Sequence, residues 1–437
     1  MDKLSNYNMA FEHQDKILMF NTFSDSLVAL THDEFEIIKS ELNDLESFNK
    51  DYPKLYKEMK NAGFIIDTDF DELAYFKLMN NVCIYGNLGT HLTINPTLDC
   101  NLKCWYCSTE YAKAVHNGGM SDKTVNAIKK HIEHLISEEK TPHLHLDWFG
   151  GEPLMYFNKV IIPISEHAYI LTQENNVHFT QHATTNASLM DEDMIRKMNK
   201  LHFTSYQITL DGNEEHHNLI KHQENGKGTF KTVINNINML ADYIPEVKII
   251  LRINYDRKTL YGIEDIIPMI TENAKKKIIV DFQRVWQVHC KEKELEQLKK
   301  VKHLFEDNGL HSGFWTYNPH KFHRCYADRL NHYAINYDGR IFKCTAQDYG
   351  DDKVIGNLHD DGNITWNYSL LSKLFAYSTF ENENCLKCKI LPLCCGSCIM
   401  RNFDARKENR QAPCVLYKTE YPLKEYVIDE AKRRNVL

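Results

Sequence analysis

The run Asp99-Cys-Asn-Leu-Lys-Cys-Trp-Tyr-Cys-Ser108 places Cys100, Cys104 and Cys107 in a Cys-x3-Cys-x2-Cys spacing. The run therefore supplies three thiolate ligands to a metal site and no fourth protein ligand. In a four-iron cluster, one iron would then keep an open position where a small molecule can bind. The spacing also differs from the common zinc patterns, which add a second pair of Cys or His residues. The run therefore favours a redox-active iron-sulfur site over a chance group of thiols.

The composition is that of an ordinary soluble protein, with 437 residues, 43% of them hydrophobic and 26% charged. A chain of this length suggests two or three domains. Lys and Arg number 52 against 60 Asp and Glu, for a formal net charge of −8, and no basic tract stands out, so we expect no nucleic-acid partner. No apolar stretch approaches the roughly 18 residues of a membrane span, and the first residues lack a signal-peptide core. We therefore expect a cytoplasmic protein with no membrane partner, in which the 13 cysteines bind metal rather than form disulfides.

Residues 1–80 are predicted to form a winged-helix unit. Lys16-Ile-Leu-Met-Phe20 and Ser26-Leu-Val-Ala-Leu30 predict a β-hairpin, and Thr31 is the expected capping residue of the helix that follows. A second helix is predicted from Tyr52 to Lys60. Gly63-Phe-Ile-Ile-Asp67 indicates a helix stop and a short strand.

Residues 81–310 alternate short β-rich runs with longer helical ones, which predicts βα units and a parallel sheet. The candidate strands are His91–Thr97, His143–Phe149, Val177–Thr184, Ser205–Leu210, Val247–Asn254 and Ile278–Trp286. The clearest helical stretches are Lys123–Glu138, Asp191–Lys200 and Phe230–Ala241. Six such units predict an α/β fold with a partial (β/α)6 barrel. Active sites of such folds lie at the carboxyl ends of the strands, and the cysteine run follows the first strand.

Residues 311–437 are rich in cysteine and weak in periodicity, so metal is expected to stabilise this segment more than a hydrophobic core does. Its cysteines are Cys325, Cys344, Cys385, Cys388, Cys394, Cys395, Cys398 and Cys414. Cys-x2-Cys followed by Cys-x3-Cys could by itself form a zinc ribbon, so these residues alone leave zinc and iron-sulfur both open.

The cysteine run, with Tyr106 just before its last cysteine, resembles the signature of radical S-adenosylmethionine (SAM) enzymes. The resemblance implies that the three cysteines bind a [4Fe-4S] cluster whose open iron chelates SAM. Gly150-Gly-Glu-Pro153, at the end of the second predicted strand, is similar to the family segment that binds the SAM amino group. Glycines allow close backbone approach, and Glu152 can accept a hydrogen bond from an ammonium.

Two further strand ends resemble family segments that contact the ribose and the methionine carboxylate of SAM. These are Thr184-Thr-Asn-Ala187 and Thr209-Leu-Asp-Gly212, where the family usually has Ser in place of Thr209. Where the family commonly has an Arg, this chain has Lys221, which keeps the charge but loses the bidentate fork. The cofactor-binding residues that the resemblance implies are Tyr106, Gly150, Gly151, Glu152, Thr185, Asn186, Thr209 and Lys221.

The C-terminal cysteines, with Gly339, resemble the seven-cysteine SPASM domain of peptide-modifying radical SAM enzymes. The resemblance implies two auxiliary [4Fe-4S] clusters, one bound by Cys325, Cys344 and Cys398 and the other by Cys385, Cys388, Cys394 and Cys414. The first set lacks a fourth thiolate. Either that cluster has an open iron, or a distant residue such as Cys290 or a histidine closes it. Cys83 and Cys395 fit neither signature.

The resemblance implies a radical SAM oxidoreductase that uses a 5′-deoxyadenosyl radical to abstract hydrogen from a ribosomally synthesised peptide and install a thioether or C–C crosslink. Its partners would be a precursor peptide with a leader and a reductant such as flavodoxin or ferredoxin. The N-terminal unit resembles a precursor-recognition element, in which a leader adds a strand to the hairpin. A small cap over the barrel opening is the alternative for that unit.

Three other functions stay open. An anaerobic sulfatase-maturating enzyme shares both cysteine signatures, but such enzymes typically have an Asp directly after the cysteine aligned with Cys344, where this chain has Thr345. A peptide epimerase and a non-catalytic zinc-binding adaptor are the others. We expect no ligand role for His143 and His145, which mark one face of a strand. His216, His217 and the run Lys291–Lys302 are expected on solvated surfaces.

Overall fold

The structure, a computed structural model, describes residues 1–107, 118–288, 292–313, 317–319, 321–418 and 421–437. The chain divides into two compact units. Unit 1 contains Met1–Gly86, Trp315–Arg329 and Lys373–Leu437, and unit 2 contains Asn87–Phe314 and Leu330–Ser372. Within the described ranges no helix is both long and apolar enough to cross a membrane. The sequence-based boundaries at residues 80 and 310 stay predictions.

Unit 1 contains the predicted hairpin, which follows two earlier strands. Its strands are β1 (Asp2–Leu4), β2 (Asn8–His13), β3 (Lys16–Asn21), β4 (Leu27–Thr31) and β5 (Ile65–Asp67). An antiparallel sheet has the order β2-β3-β4, and β1 pairs with β5. Thr31 caps the following helix as predicted: its hydroxyl accepts from the Glu34 N–H, and the Glu34 carboxylate accepts from the Thr31 N–H.

The helices of unit 1 come from both the N-terminal and the C-terminal parts of the chain. They span His32–Glu41, Leu45–Asp51, Pro53–Asn61, Glu72–Tyr85, Glu383–Leu386, Leu391–Cys394, Ile399–Lys407 and Leu423–Arg433, with 3₁₀ turns at Tyr326–Asp328, Thr379–Glu381 and Val415–Lys418. A hydrophobic cluster around Phe48 and Phe64 joins the first helices to β3. A second cluster packs Phe76 against Phe380 and Leu391. The N-terminal residues and the cysteine-rich segment therefore share one core in this unit.

Among the described residues, unit 2 is built on a mixed sheet of 11 strands. They are β6 (Thr90–Ile94), β7 (His143–Trp148), β8 (His178–Thr185), β9 (Phe203–Thr209), β10 (Lys248–Tyr255), β11 (Ile278–Arg284), β12 (His311–Ser312), β13 (His332–Ile335), β14 (Arg340–Phe342), β15 (Gly356–Leu358) and β16 (Ile364–Trp366). The order is β12-β11-β10-β9-β8-β7-β6-β13-β14-β15-β16. Strands β6 to β13 pair in parallel, and β13 to β16 pair antiparallel.

Helices connect the parallel strands, as parallel pairing requires. They span Asp122–Ser137, Ile162–Glu174, Glu192–Lys200, Glu214–Ile220, Phe230–Tyr243, Glu272–Lys275 and Glu292–Asp307, with shorter turns at Pro153–Tyr156, Phe157–Ile161, Ile263–Met269 and Asp351–Lys353. A further helix, Tyr368–Phe375, contains the chain boundary between the units. The six predicted strands and three predicted helices are confirmed, with ends that differ by up to three residues. The fold is therefore mixed α/β with a large parallel sheet.

The strands β7 and β8 show how the sheet separates its faces. Leu144, Leu146 and Trp148 are fully buried. The indole N–H of Trp148 donates to Gln181 at 3.0 Å, and Ser165 of the helix Ile162–Glu174 donates to the same Gln181 oxygen at 2.8 Å. These side chains therefore pack toward the helices. Because side chains alternate along a strand, the residues between them face the other side of the sheet.

Candidate functional site

The loop of Cys100, Cys104 and Cys107 follows β6. Leu98, just before it, packs with Ala334 and Phe342. Within the loop the Cys107 N–H donates to the Cys104 carbonyl at 3.1 Å. The carboxyl end of β6 and this packing position the loop at the edge of the sheet where chemistry was predicted.

Polar hydrogen atoms surround two of the loop thiols. Cys100 Sγ accepts from the Leu102 N–H at 3.4 Å and from Asn186 Nδ2 at 3.8 Å. Lys221 Nζ lies 3.7 Å from Cys104 Sγ. Hydrogen bonds to sulfur tune an iron-sulfur cluster. Burial raises the pKa of the Cys104 thiol, and the Lys221 cation opposes that shift. The donors around these sulfurs therefore fit a bound cluster.

Gly150 and Gly151 lie against the backbone that precedes the cysteine loop. A Cβ on Gly150 would lie 2.2 Å from the Thr97 carbonyl oxygen, and one on Gly151 would lie 2.0 Å from that of Asp99. The Gly151 N–H donates to Thr97 O at 3.0 Å, and the Glu152 N–H donates to Asp99 O at 2.8 Å. The glycines thus let the end of β7 and the start of the cysteine loop touch directly.

Glu152 links the ends of β7 and β8 from a buried position. Its carboxylate accepts from Thr185 Oγ1 at 2.7 Å, from the Asn186 N–H at 2.8 Å and from the Leu154 N–H at 3.1 Å. Burial raises the pKa of Glu152, although the bonds from Asn186 and Thr185 oppose that shift. The structure therefore joins three predicted site residues, and the Asn186 side chain extends the link to Cys100.

Lys221 and Tyr106 meet a carboxylate that was not among the predicted site residues. Lys221 Nζ lies 3.7 Å from Asp211 Oδ2, and the two side chains are 7% and 0% exposed. The Tyr106 hydroxyl donates to the same carboxylate and accepts from Asn254 Nδ2 at 3.1 Å. Burial alone would lower the pKa of Lys221, but Tyr106, Asp211 and Cys104 together raise it well above its ordinary value.

Asp211 belongs to the strand-end segment Thr209-Leu-Asp-Gly212, which the sequence identified as part of the candidate site. Thr209 is the last residue of β9 and pairs in register with Arg252. Asn254, from β10, carried no sequence signal. Its position in the site follows only from the parallel order of β9 and β10.

The expectation of a solvated surface is wrong for His217 and Lys302 and only partly right for His216. His217 is fully buried: its Nδ1 accepts from the Asp211 N–H at 3.3 Å, and its Nε2 lies 3.1 Å from Thr229 Oγ1. His216 is half-buried and contacts Thr259 Oγ1 at 3.0 Å. The short helix that carries both histidines packs against the end of β9. Lys302 is also buried, on the helix Glu292–Asp307.

The C-terminal cysteines repeat one local geometry of the first loop. The Sγ atoms of Cys344, Cys388 and Cys394 each accept from the N–H two residues later, at 3.3, 3.4 and 3.4 Å. Burial raises the pKa of Cys385 to about 11 and that of Cys394 to about 12. Metal binding is the ordinary means by which such thiols lose their protons.

One of the two predicted auxiliary sets, that of Cys325, Cys344 and Cys398, has members in both units. Cys344 belongs to unit 2, while the other six predicted auxiliary ligands belong to unit 1. In unit 1, Asp328 joins the segments of Cys325 and Cys398, because its carboxylate accepts from the Cys325 N–H at 2.9 Å and from the Ile399 N–H at 2.8 Å. Cys290 lies outside the described residues.

Cys395 differs from its neighbours. Its thiol donates to the Lys321 carbonyl at 2.9 Å, which agrees with its omission from both predicted sets. Among the described residues, no three His, Cys, Asp or Glu side chains converge on a point for one metal ion. A four-iron cluster instead distributes its thiolate ligands over separate irons.

Comparison with known proteins identifies the domain. Residues 94–255 match the family model of the Radical SAM superfamily. A cysteine-type anaerobic sulfatase-maturating enzyme of Clostridium perfringens (strain 13 / Type A) is 22% identical over 359 residues, which cover 70% of this chain and 88% of the relative.

Two solved structures share the fold. Native anSMEcpe with bound AdoMet and Cp18Cys peptide has a TM-score of 0.56 at 21% identity, covering 79% of this chain and 97% of that one. Streptococcus suis SuiB bound to precursor peptide SuiA has a TM-score of 0.51 at 16% identity, covering 94% of this chain and 98% of that one.

The non-catalytic adaptor interpretation is wrong. The chain contains a radical SAM domain over residues 94–255, is homologous to anaerobic sulfatase-maturating enzymes, and is an enzyme; radical SAM domains use a [4Fe-4S] cluster and SAM.

Proposed function

We propose that this enzyme is a radical SAM/SPASM maturase that installs a thioether or C–C crosslink in a ribosomally synthesised peptide. The extent of the structural likeness carries the proposal. SuiB, which was solved with its precursor peptide SuiA, aligns over 94% of this chain, whereas anSMEcpe aligns over 79%. The proposal assigns the additional part of the chain to recognition of a precursor peptide.

Unit 1 offers a place for the leader of such a peptide. β2 is an edge strand of the β2-β3-β4 sheet. Beside it, Asn8, Met9, Ala10, Met19 and Lys389 line a groove of about 420 Å³. An extended peptide could add a strand to this edge and place side chains in the groove. A winged-helix recognition unit is therefore part of the proposal.

The proposed cofactor contacts follow the site geometry. Cys100, Cys104 and Cys107 would hold the first cluster, and Glu152 would position Thr185 and Asn186 beside it. When bound, the cluster and SAM supply the radical that abstracts hydrogen, while the protein positions the target carbon and excludes water. A reductant such as flavodoxin or ferredoxin, a cytoplasmic location and two auxiliary clusters in a SPASM domain belong to the same proposal.

Sulfatase maturation is the second candidate, favoured by the sequence homology over 88% of the Clostridium relative. The residue after Cys344 counts against it. Such enzymes are expected to carry an aspartate there as a base, and this chain has the buried Thr345. A threonine hydroxyl stays protonated at neutral pH and cannot take that role.

Anaerobic reconstitution tests the proposal. The enzyme is incubated with SAM, a reductant and the peptide encoded beside its gene, and the products are read by mass spectrometry. Loss of two hydrogens from the peptide supports crosslinking, and an unchanged mass with deuterium uptake from heavy water points to epimerisation. Formylglycine in a sulfatase-derived peptide would favour the second candidate. Absence of SAM cleavage with every peptide would overturn the assignment.

Iron content tests the cluster assignment separately. Three four-iron clusters predict about 12 irons per chain, and replacing Cys100, Cys104 and Cys107 with alanine should remove about four of them. Cys83→Ala is the matched control, because Cys83 belongs to no predicted set. A loss of iron in the control equal to that in the triple variant would contradict the assignment.

A further inference from the structure

The face of β6, β7 and β8 that points away from the helices is rich in histidine. We call it the polar face. Its register places residues side by side in layers. His143 pairs with His178 in the first layer, and His332, His91, His145 and Thr180 align in the second. Thr93, Asp147, His182 and Ser205 align in the third. Successive layers lie two residues, or about 7 Å, apart along the strands.

Side-chain contacts connect the first layer to the second. His178 is exposed at the amino-terminal edge, and its ring centroid lies 4.7 Å from that of His143. The Thr180 hydroxyl lies 2.8 Å from His143 Nε2 and 2.7 Å from His145 Nδ1. A hydroxyl both donates and accepts, so Thr180 can bridge the two imidazoles.

The contacts continue from the second layer to the third. The rings of His145 and His91 meet edge to face with centroids 4.5 Å apart. His91 Nε2 lies 3.6 Å from Asp147 Oδ2. The series therefore runs from solvent at His178 to Asp147, which is three residues before Gly150 and the carboxyl edge of the sheet.

Asp147 is a buried carboxylate, with 7% exposure, and its Oδ1 accepts no hydrogen bond from the described residues. Burial favours a raised pKa, but His91, His182 and His145 together lower the pKa of Asp147. Burial, with His91, lowers the pKa of His145 to about 3. The resting polar face thus holds one carboxylate charge beside the neutral imidazole of His145. A carboxylate in this position stabilises an imidazolium that forms transiently, as the aspartate of a catalytic triad does.

We infer that Asp147, His91, His145, Thr180, His143 and His178 form a proton relay from the carboxyl edge of the sheet to solvent. The relay rests on the proposed function. Closing a thioether transfers one hydrogen atom from carbon to the 5′-deoxyadenosyl group, releases the thiol proton, and leaves one electron for an auxiliary [4Fe-4S] cluster. The relay takes that proton. His91 holds it beside Asp147, and the Thr180 hydroxyl carries it from His145 to His143. The steps from His91 to His145 and from His143 to His178 cross ring-to-ring contacts, so each requires an imidazole to turn toward its neighbour.

Two variants interrupt the relay at different points. Thr180→Val removes the bridging hydroxyl with little change in volume, and Asp147→Asn removes the fixed charge. Thr172→Val is the control, because Thr172 is more buried than the half-buried Thr180 but its hydroxyl donates to Tyr169 O in the helix Ile162–Glu174. The readout is the number of crosslinks formed per 5′-deoxyadenosine. Proton transfer by a positioned group contributes about 10²–10⁴ in rate, so we expect that ratio to fall about tenfold or more in both relay variants and not in the control.

Chemical rescue separates proton transfer from a structural role. Added imidazole should restore crosslinking in Thr180→Val, because a free base can replace the missing bridge, while 5′-deoxyadenosine formation stays near the wild-type rate. The relay is overturned if Thr180→Val and Asp147→Asn keep the wild-type ratio. It is equally overturned if Thr180→Val loses both products together and imidazole restores neither. A wild-type enzyme that cleaves SAM but forms no crosslink would instead overturn the proposed function, and the relay with it.

Discussion

Replacing Gly151 with alanine should displace the cysteine loop. The new Cβ would lie 2.0 Å from Asp99 O and 2.5 Å from Leu98 O, where real Cβ contacts essentially never fall below 3.0 Å. Both obstructing atoms are backbone carbonyls, so no side-chain rotation relieves the overlap. The loop must move by about 1 Å, and such overpacking costs about 1–3 kcal/mol. Because Cys100 follows Asp99 directly, the movement acts on the first cluster thiolate.

The assay measures cluster loading and stability in the same samples. After anaerobic reconstitution, Gly151→Ala should lack about four of the irons bound by the wild type, the content of one cluster. Gly309→Ala is the control, because Gly309 has a φ of +79° and nothing within 4 Å of its added Cβ. Left-handed strain should cost the control about 1–2 kcal/mol of unfolding free energy without loss of iron.

The comparison between these two glycine variants tests whether the position of the cysteine loop determines how much iron the protein binds. Equal destabilisation with unequal iron content would show that contact between the end of β7 and the loop positions the thiolates. Full iron content and unchanged SAM binding in Gly151→Ala would refute that reasoning. In that outcome the glycine would matter for neither loop position nor the cofactor.

Three further predictions concern charge, pH and metal. Lys221→Met leaves the Asp211 carboxylate buried without its cation, so urea denaturation should show a loss of about 3–5 kcal/mol, partly recovered by adding Asp211→Asn. Burial lowers the pKa of His131 from 6.5 to about 4. The unfolded chain therefore binds a proton first as pH falls, so His131 contributes up to about 3 kcal/mol to the stability that is lost between pH 6.5 and 4, and His131→Asn should lose less than the wild type by about that amount. Cys388→Ala should lower the iron content by about four per chain, whereas Cys395→Ala should leave it unchanged, as iron and sulfide analysis will show.

Local pattern was sufficient for the core of unit 2. The runs at β7 and β10 alternate buried apolar residues with polar ones, which is the period of a strand. Helix starts were equally readable, since Thr31 and Asp191 accept from the backbone N–H three residues later. The segments at the strand ends could be predicted as one site because parallel strands end at the same edge. Contacts between Glu152, Thr185 and Asn186 agree with that expectation.

The pairing of strands that are distant in sequence could not be predicted from local pattern. β13 has four residues and β14 to β16 have three each, too short for a period to show. β13 also pairs with β6, more than 200 residues earlier in the chain. The burial of His217 and the position of Asn254 likewise depend on which strand lies next to β9. The local sequence around β9 does not predict which strand that is.

The polar face also depends on which strands lie next to each other in the sheet. The alternation of His143 and His145 marks a strand face but does not identify what the face contacts. Adjacent strands add His91, His182 and His332 at matching registers, and Asp147 then becomes a charge among imidazoles. A crosslink and a formylglycine both require that a proton leave the substrate, and Thr345 is not a base at neutral pH. The acceptor must therefore be another group, and the carboxylate of Asp147 with the imidazole of His91 lies one layer below the sheet edge where the cofactor is proposed to bind.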